Sequence, residues 1–109
     1  MAYDETLAAR VRDAMGPEPA LTERKMFGGI AFMLGGHMFC GIVGDELMLR
    51  LGREGADAAL ERAHVRPMDF TGRPLAGMVF VGPAGLRGPA LGRWVARAVA
   101  YVRTLPPKA

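Results

Sequence analysis

One cysteine, Cys40, stands among 109 residues, so an internal disulfide is excluded and stability has to come from packing. Histidine is almost as scarce. His37 and His64 are isolated, and neither has a second ligand at the short spacing that metal sites use. No apolar run approaches the roughly 18 residues of a membrane-spanning helix. The N-terminal Met1-Ala2-Tyr3-Asp4-Glu5 is acidic and lacks the basic and apolar regions of a leader peptide. A cytoplasmic protein without membrane contact is expected. Repeats and low-complexity tracts are absent too. Gly28-Gly29 is followed by neither a helix signal nor a Gly-Lys-Ser pattern, so it is no phosphate loop. It suits a bulge or the close approach of another backbone. Asp69 and Glu46 do not make a convincing catalytic pair, and no cofactor is implied.

Charge is present but not concentrated. The net charge is +3 and the pI about 9.6, which reflects twelve arginines and only two lysines. The arginines are dispersed, whereas a nucleic-acid footprint needs clustered charge, so direct nucleic-acid binding is not expected. Half of the residues are hydrophobic, enough for one globular domain spanning 1–109.

The organising stretch is Lys25 to Leu51. Gly35-Gly36 and Gly44-Asp45 are two-residue turn signals between apolar runs, which predicts a three-stranded antiparallel meander. With tight turns at both, Met33 faces Met38, Ala31 faces Cys40 and Gly29 faces Ile42. Across the second turn Ile42 faces Leu47, Cys40 faces Leu49 and Met38 faces Leu51. Alternation then puts Ala31, Met33, Met38, Cys40, Ile42, Leu47, Leu49 and Leu51 on the core face. Ile30, Phe32, Phe39, Gly41, Val43, Glu46, Met48 and Arg50 fall on the reverse. That reverse face is unusually apolar. It is covered either by the rest of the chain or by a partner, and Ile30, Phe32, Phe39, Met48 and Arg50 form the expected interaction surface.

Around the meander, Asp4 to Met15 reads as a helix capped by Asp4 and stopped at Gly16-Pro17, with Leu7, Ala8, Val11, Ala14 and Met15 inward. Pro17–Thr22 reads as a linker. A second helix runs from Gly52 to about Ala63 with Ala56, Ala59, Leu60 and Ala63 inward, and Arg53 and Asp57 at pairing distance. His64–Phe70 is extended, and Asp69 suits a local turn. Gly77–Val81 is a strand apolar on both sides. Gly88-Pro89 opens a last helix with Leu91, Trp94, Val95, Ala98, Tyr101, Val102 and Leu105 inward and Arg93 and Arg97 opposite. The expected class is α+β, in the order α-β-β-β-α-β-β-α, an antiparallel sheet with helices packed on it.

Candidates for chemistry are few. Cys40 falls on the core face, where a thiol without a base is a small hydrophobe. Arg24, Lys25, Arg50 and Arg73 are the candidate anion contacts, if they converge at one sheet edge. Local ion pairs with Glu23, Glu46 or Asp69 are the plainer alternative.

Several phrases match a known family. They are Arg24-Lys25-Met26-Phe27-Gly28-Gly29-Ile30-Ala31-Phe32-Met33, Met38-Phe39-Cys40-Gly41, Leu47-Met48-Leu49-Arg50 and Arg66-Pro67-Met68-Asp69-Phe70-Thr71-Gly72-Arg73-Pro74, with the Trp94-Val95 helix and Leu105-Pro106 behind them. The chain resembles the N-terminal domain of the TfoX (Sxy) family over nearly its whole length. The resemblance implies a secretion-chaperone-like fold. It implies a role like that of competence regulators, which work beside the cAMP receptor protein and carry a second, helical domain. It supplies no catalytic residues. The expectation is a non-enzymatic regulatory protein-interaction domain, a homodimer with a regulatory protein partner. The alternative is a small anionic-ligand binder, or a small enzyme, built on Arg24, Lys25, Arg50 and Arg73.

Overall fold

Glycine turns set the centre of the fold. Gly35 and Gly36 take φ of 58° and 85°, and Gly44 takes 60°, values that close two-residue hairpins whose twist matches the strands. In a computed structural model, residues 3–26, 28–69 and 74–106 are described. The elements are α1 (Glu5–Met15), β1 (Leu21–Met26), β2 (Gly29–Leu34), β3 (His37–Val43), β4 (Glu46–Arg50), α2 (Gly52–Ala59), β5 (Val65–Asp69), β6 (Pro74–Val81), a 3-10 turn at Pro83–Gly85, and α3 (Ala90–Val102). The strands form one six-stranded antiparallel sheet in the order β1-β2-β3-β4-β6-β5. The α+β class stands, with one strand more than the expected order.

That extra strand is β1, which takes in the last two residues of the expected linker, Leu21 and Thr22, and Arg24 and Lys25. Its residues from Thr22 to Lys25 are exposed, so the strand shows none of the alternation by which strands are recognised. It is an edge. Glu23, Arg24 and Lys25 leave a charged border that discourages pairing with another chain. At the opposite edge, β5 is short, contains Pro67 and is irregular between Pro67 and Asp69.

The meander departs from its expected register at one place. Met33 faces Met38, as the tight turn requires, but Phe32 then faces Cys40 and Ile30 faces Ile42. Phe39 is the extra residue of a β-bulge. It leaves Cys40 on the core face but turns Met38 to the reverse. With Met38, every side chain of β2, Met33 included, lies on the opposite face from the one expected. The second hairpin follows expectation, with Cys40 facing Leu49 and Ile42 facing Leu47. The face beneath the helices therefore carries Ile30, Phe32, Leu34, Phe39, Cys40, Ile42, Leu47 and Leu49, all buried. The reverse carries Ala31, Met33, Met38, Gly41, Val43, Met48 and Arg50.

Three helices cover the first of these faces. Asp4 caps α1, its Oδ1 accepting from the Thr6 and Leu7 amides at 2.9 and 3.1 Å, and Gly16 ends the helix at φ 64°. Leu7, Ala8 and Val11 are buried, Met15 is half-buried, and Ala14 is exposed, contrary to the expected stripe. Helix α2 stops four residues short of Ala63. Ala56 and Ala59 pack inward, while Ala63 is exposed and Leu60 is 37% exposed. His64, at φ 69°, turns the chain into β5. Helix α3 buries Leu91, Trp94, Val95, Ala98 and Val102, as its spacing predicts, and Val99 besides, while Tyr101 and Leu105 are half-buried. Strand β6 lies between β4 and β5, and its Val79, Phe80 and Val81 are buried from both sides, as their composition predicts.

Candidate functional site

The reverse side of the sheet gathers a second apolar cluster that contains no helical residue. Met48, Met68 and Phe80 are buried, with Met38, Val43 and Met78 half-buried against them. Met33, paired with Met38 across the first hairpin, extends the strip towards β2. Gly41 lies opposite Met48, and a Cβ there would stand 2.7 Å from the Met48 methyl group, so the missing side chain makes the recess that this methionine fills. Five of the seven apolar side chains in this strip are methionines that reach the surface or lie just below it. Thioether side chains adapt to different partner shapes without strain.

Charged groups border the strip. Arg66 of β5 stacks over the Phe80 ring at 4.5 Å and forks onto Glu46 of β4, its Nε at 3.0 Å from one carboxylate oxygen. Arg24 of β1 and Arg50 of β4 face the same side by their register. Arg50 also lies 5.9 Å from the Tyr101 ring and, with Arg53, Met38, Met78 and Tyr101, lines a cleft of about 340 Å³. The border is thus more basic than acidic.

The expected interaction surface is corrected by these positions. Ile30, Phe32 and Phe39 belong to the core under the helices, because the bulge turns β2 over and seats Phe39 inward. Met48 is on the reverse side but is covered by Met68 and Phe80. Of the five residues, Arg50 alone reaches the surface. Met33, Met38, Val43 and Met78 take the place of the other four. Val43 is on its expected side; Met33 and Met38 keep the pairing that the turn predicts, but the bulge moves both from the expected core face to this one.

The expected anion cluster does not assemble. Arg24 and Lys25 are successive residues of one strand, so they point to opposite faces, and β2 and β3 separate them from Arg50. Arg73 lies outside the described residues. The plainer alternative was half right. Glu23 and Glu46 do make ion pairs, but with Arg12 and Arg66 rather than with the four candidates. Arg53 and Asp57 form no ion pair among the described residues. Exposed charges on β1 act as the edge guard described above.

Other candidates resolve as packing or local contacts. Cys40 is fully buried on the core face, and burial in apolar surroundings pushes its thiol pKa far up. A thiol so placed is not a nucleophile at neutral pH. His37 bonds the Pro106 carbonyl at 2.8 Å, and the His64 carbonyl accepts from the Gly82 amide. No group of three metal-ligating side chains occurs among the described residues. No helix among them is long and apolar enough to cross a membrane. A Cβ on Gly29 would run into the Ile42 carbonyl oxygen, which bears out the close backbone approach expected at Gly28-Gly29.

Residues 13–102 match the sequence model of the TfoX N-terminal domain, and the chain belongs to that family. No curated protein and no solved structure matches it.

Proposed function

We propose that this TfoX N-terminal domain is a non-enzymatic regulatory module of the cytoplasm that docks another protein on the reverse face of its sheet. One observation carries the reading. All three helices pack on one face, and the other bears a methionine-rich strip with a partly basic border. The two sheet edges are guarded, so strand addition is disfavoured and docking falls to the face. Arg24, Arg50 and Arg66 outnumber Glu46 along the border, and the whole chain is positive. The fitting occupant is therefore a protein with an apolar centre and an acidic rim. A second copy, the homodimer expected from the sequence, would set these arginines against one another. Competence regulation beside a transcription factor is one setting in which such a module would act.

The test uses Met38→Asp, which charges the strip without entering the core. Light scattering of the wild type over a wide concentration range is expected to show a monomer. Affinity capture from native cytosol is expected to yield an acidic prey that Met38→Asp loses while its melting temperature stays near wild type. A dimer abolished by Met38→Asp would replace the acidic partner with a second copy. Capture that does not respond to Met38→Asp would overturn the assignment of the face.

A further inference from the structure

The arginines of this fold fall into two kinds. Arg12, Arg66 and Arg103 are each paired with a glutamate, namely Glu23, Glu46 and Glu18. Arg62, Arg93 and Arg97 make no ion pair among the described residues. They line one concavity of about 250 Å³ between the end of α2 and the first turns of α3, with Trp94 in its wall and Gly85 on the 3-10 turn. Arg62 and Arg97 both approach the Trp94 ring, at 5.6 and 5.2 Å from its centroid. None of the residues that line the concavity is acidic, and α3 contains no Asp or Glu. Glu61, next to Arg62 in the chain, makes no ion pair among the described residues.

Shielding the indole explains one stacked arginine. It does not explain why three arginines, one from the turn after α2 and two from α3, line one small hollow whose wall has no acidic residue. Like charges that share a hollow repel, and the repulsion is relieved when an anion enters. Guanidinium groups suit phosphoryl oxygens in particular, because their N–H donors meet two oxygens at once. Size narrows the choice further. The hollow is smaller than the roughly 300–1,000 Å³ of drug-sized pockets.

We propose that Arg62, Arg93 and Arg97 form a binding site for a small phosphate-bearing anion, on the opposite side of the fold from the methionine strip. The site is independent of the docking face and of the residues named for it. Trp94, the single tryptophan of the chain, reports its occupancy, since an anion that reorients Arg62 or Arg97 changes what covers the ring.

Trp94 fluorescence is followed while inorganic phosphate, pyrophosphate or a nucleoside monophosphate is added to the full chain at constant ionic strength. A saturable change at submillimolar concentration is expected for at least one of them. Arg97→Gln on α3 and Arg62→Gln on the turn after α2 should each weaken it at least tenfold. Arg103→Gln, beyond the other end of α3 and paired with Glu18, should leave it unchanged. The ranking of the three anions separates a bare phosphate site from one that also holds a nucleoside. A response that follows chloride equally, or that survives both arginine substitutions, would overturn the site. Tighter binding of a duplex oligonucleotide than of any small anion would replace it with a nucleic-acid contact. Retained near-ultraviolet circular dichroism in both variants separates lost binding from lost folding.

Discussion

Under the helices the sheet presents Ile30, Phe32, Phe39, Ile42, Leu47, Leu49, Val79 and Val81, whereas its other face presents Ala31, Met33, Met38, Met48, Met78 and Phe80. The first set is mostly branched or aromatic and stiff, and it meets three helices in one close-packed core. The second is mostly unbranched and flexible. Stiff side chains specify a single packing, and methionines tolerate several. The difference teaches that the two faces answer to different demands. One holds the chain together, and the other is free to fit something outside it.

The largest expected effect comes from reversing the character of the stiff face. Phe39 is 0% exposed, and truncation to alanine should cost roughly 3–5 kcal/mol, with Phe39→Asp costing more. Met33→Asp, on the other face and half-buried, should cost far less. Urea unfolding of the two variants reads the contrast directly. Equal losses would mean that the reverse face is as much a core as the covered one. Phe39→Asp is for the same reason useless as a probe of docking, because it would abolish the fold first.

Next comes the register that separates the faces. A Cβ on Gly29 meets backbone, the Ile42 carbonyl, which cannot rotate away as a side chain can. Gly29→Ala should cost roughly 3 kcal/mol by forcing β2 away from β3. A loss below about 1 kcal/mol would show that the strands slide to accommodate it, and that the register of β2 is not fixed there.

This register is also where the sequence was least legible. Both tight turns, the Asp4 cap, most of the inward stripe of α3 and the cover on both faces of β6 could be read from residue types at fixed spacing. The bulge could not. Met38-Phe39-Cys40-Gly41 is apolar or small throughout, so either register buries a greasy set and the pattern alone does not choose between them. Strand β1 was hidden for the opposite reason: an exposed, charged edge has no alternation to read. The site inherited both faults. Ile30, Phe32 and Phe39 were placed outside by a shift of one residue. Arg24 and Lys25 share a family phrase, but neighbours on a strand point apart. The Arg62, Arg93 and Arg97 hollow left one faint signal, an arginine-bearing helix free of acids.

The two faces also differ in how their sulfur atoms meet solvent. Cys40 and Met38 lie two residues apart, across the bulge, on different faces. Burial holds the Cys40 thiol protonated, so a thiol reagent should leave it unmodified in the native state and react fully after unfolding. Dilute peroxide should oxidise Met33, Met38 and Met78 before Met48, which mass spectrometry resolves by peptide. Cys40→Ser should cost roughly 2 kcal/mol, because a hydroxyl would be buried without a planned partner. Early alkylation of Cys40 would show that the covered face opens as readily as the other.

The smallest effect concerns the margin of the covered face, where α1 is tied to β1. Arg12 donates to both Glu23 carboxylate oxygens, at 2.7 and 2.8 Å, and its guanidinium carbon lies 6.0 Å from the Phe32 ring centroid. The hydrogen bonds from Arg12 hold the Glu23 carboxyl below its ordinary pKa. A depressed carboxylate pKa stabilises the folded state above the unfolded value, and that contribution is lost as pH falls through the folded one. Arg12 is charged throughout that window, so Glu23 alone sets it. The side chains are 44% and 33% exposed, and solvent screening limits the pair to about 0.5 kcal/mol. Glu23→Gln should therefore be slightly less stable than wild type at neutral pH and equal to it once Glu23 is protonated. Urea curves at neutral pH and at about pH 2–3 measure the difference. A gap that persists in acid would mean that the contact of Arg12 with Phe32, and not its charge on Glu23, holds the margin closed.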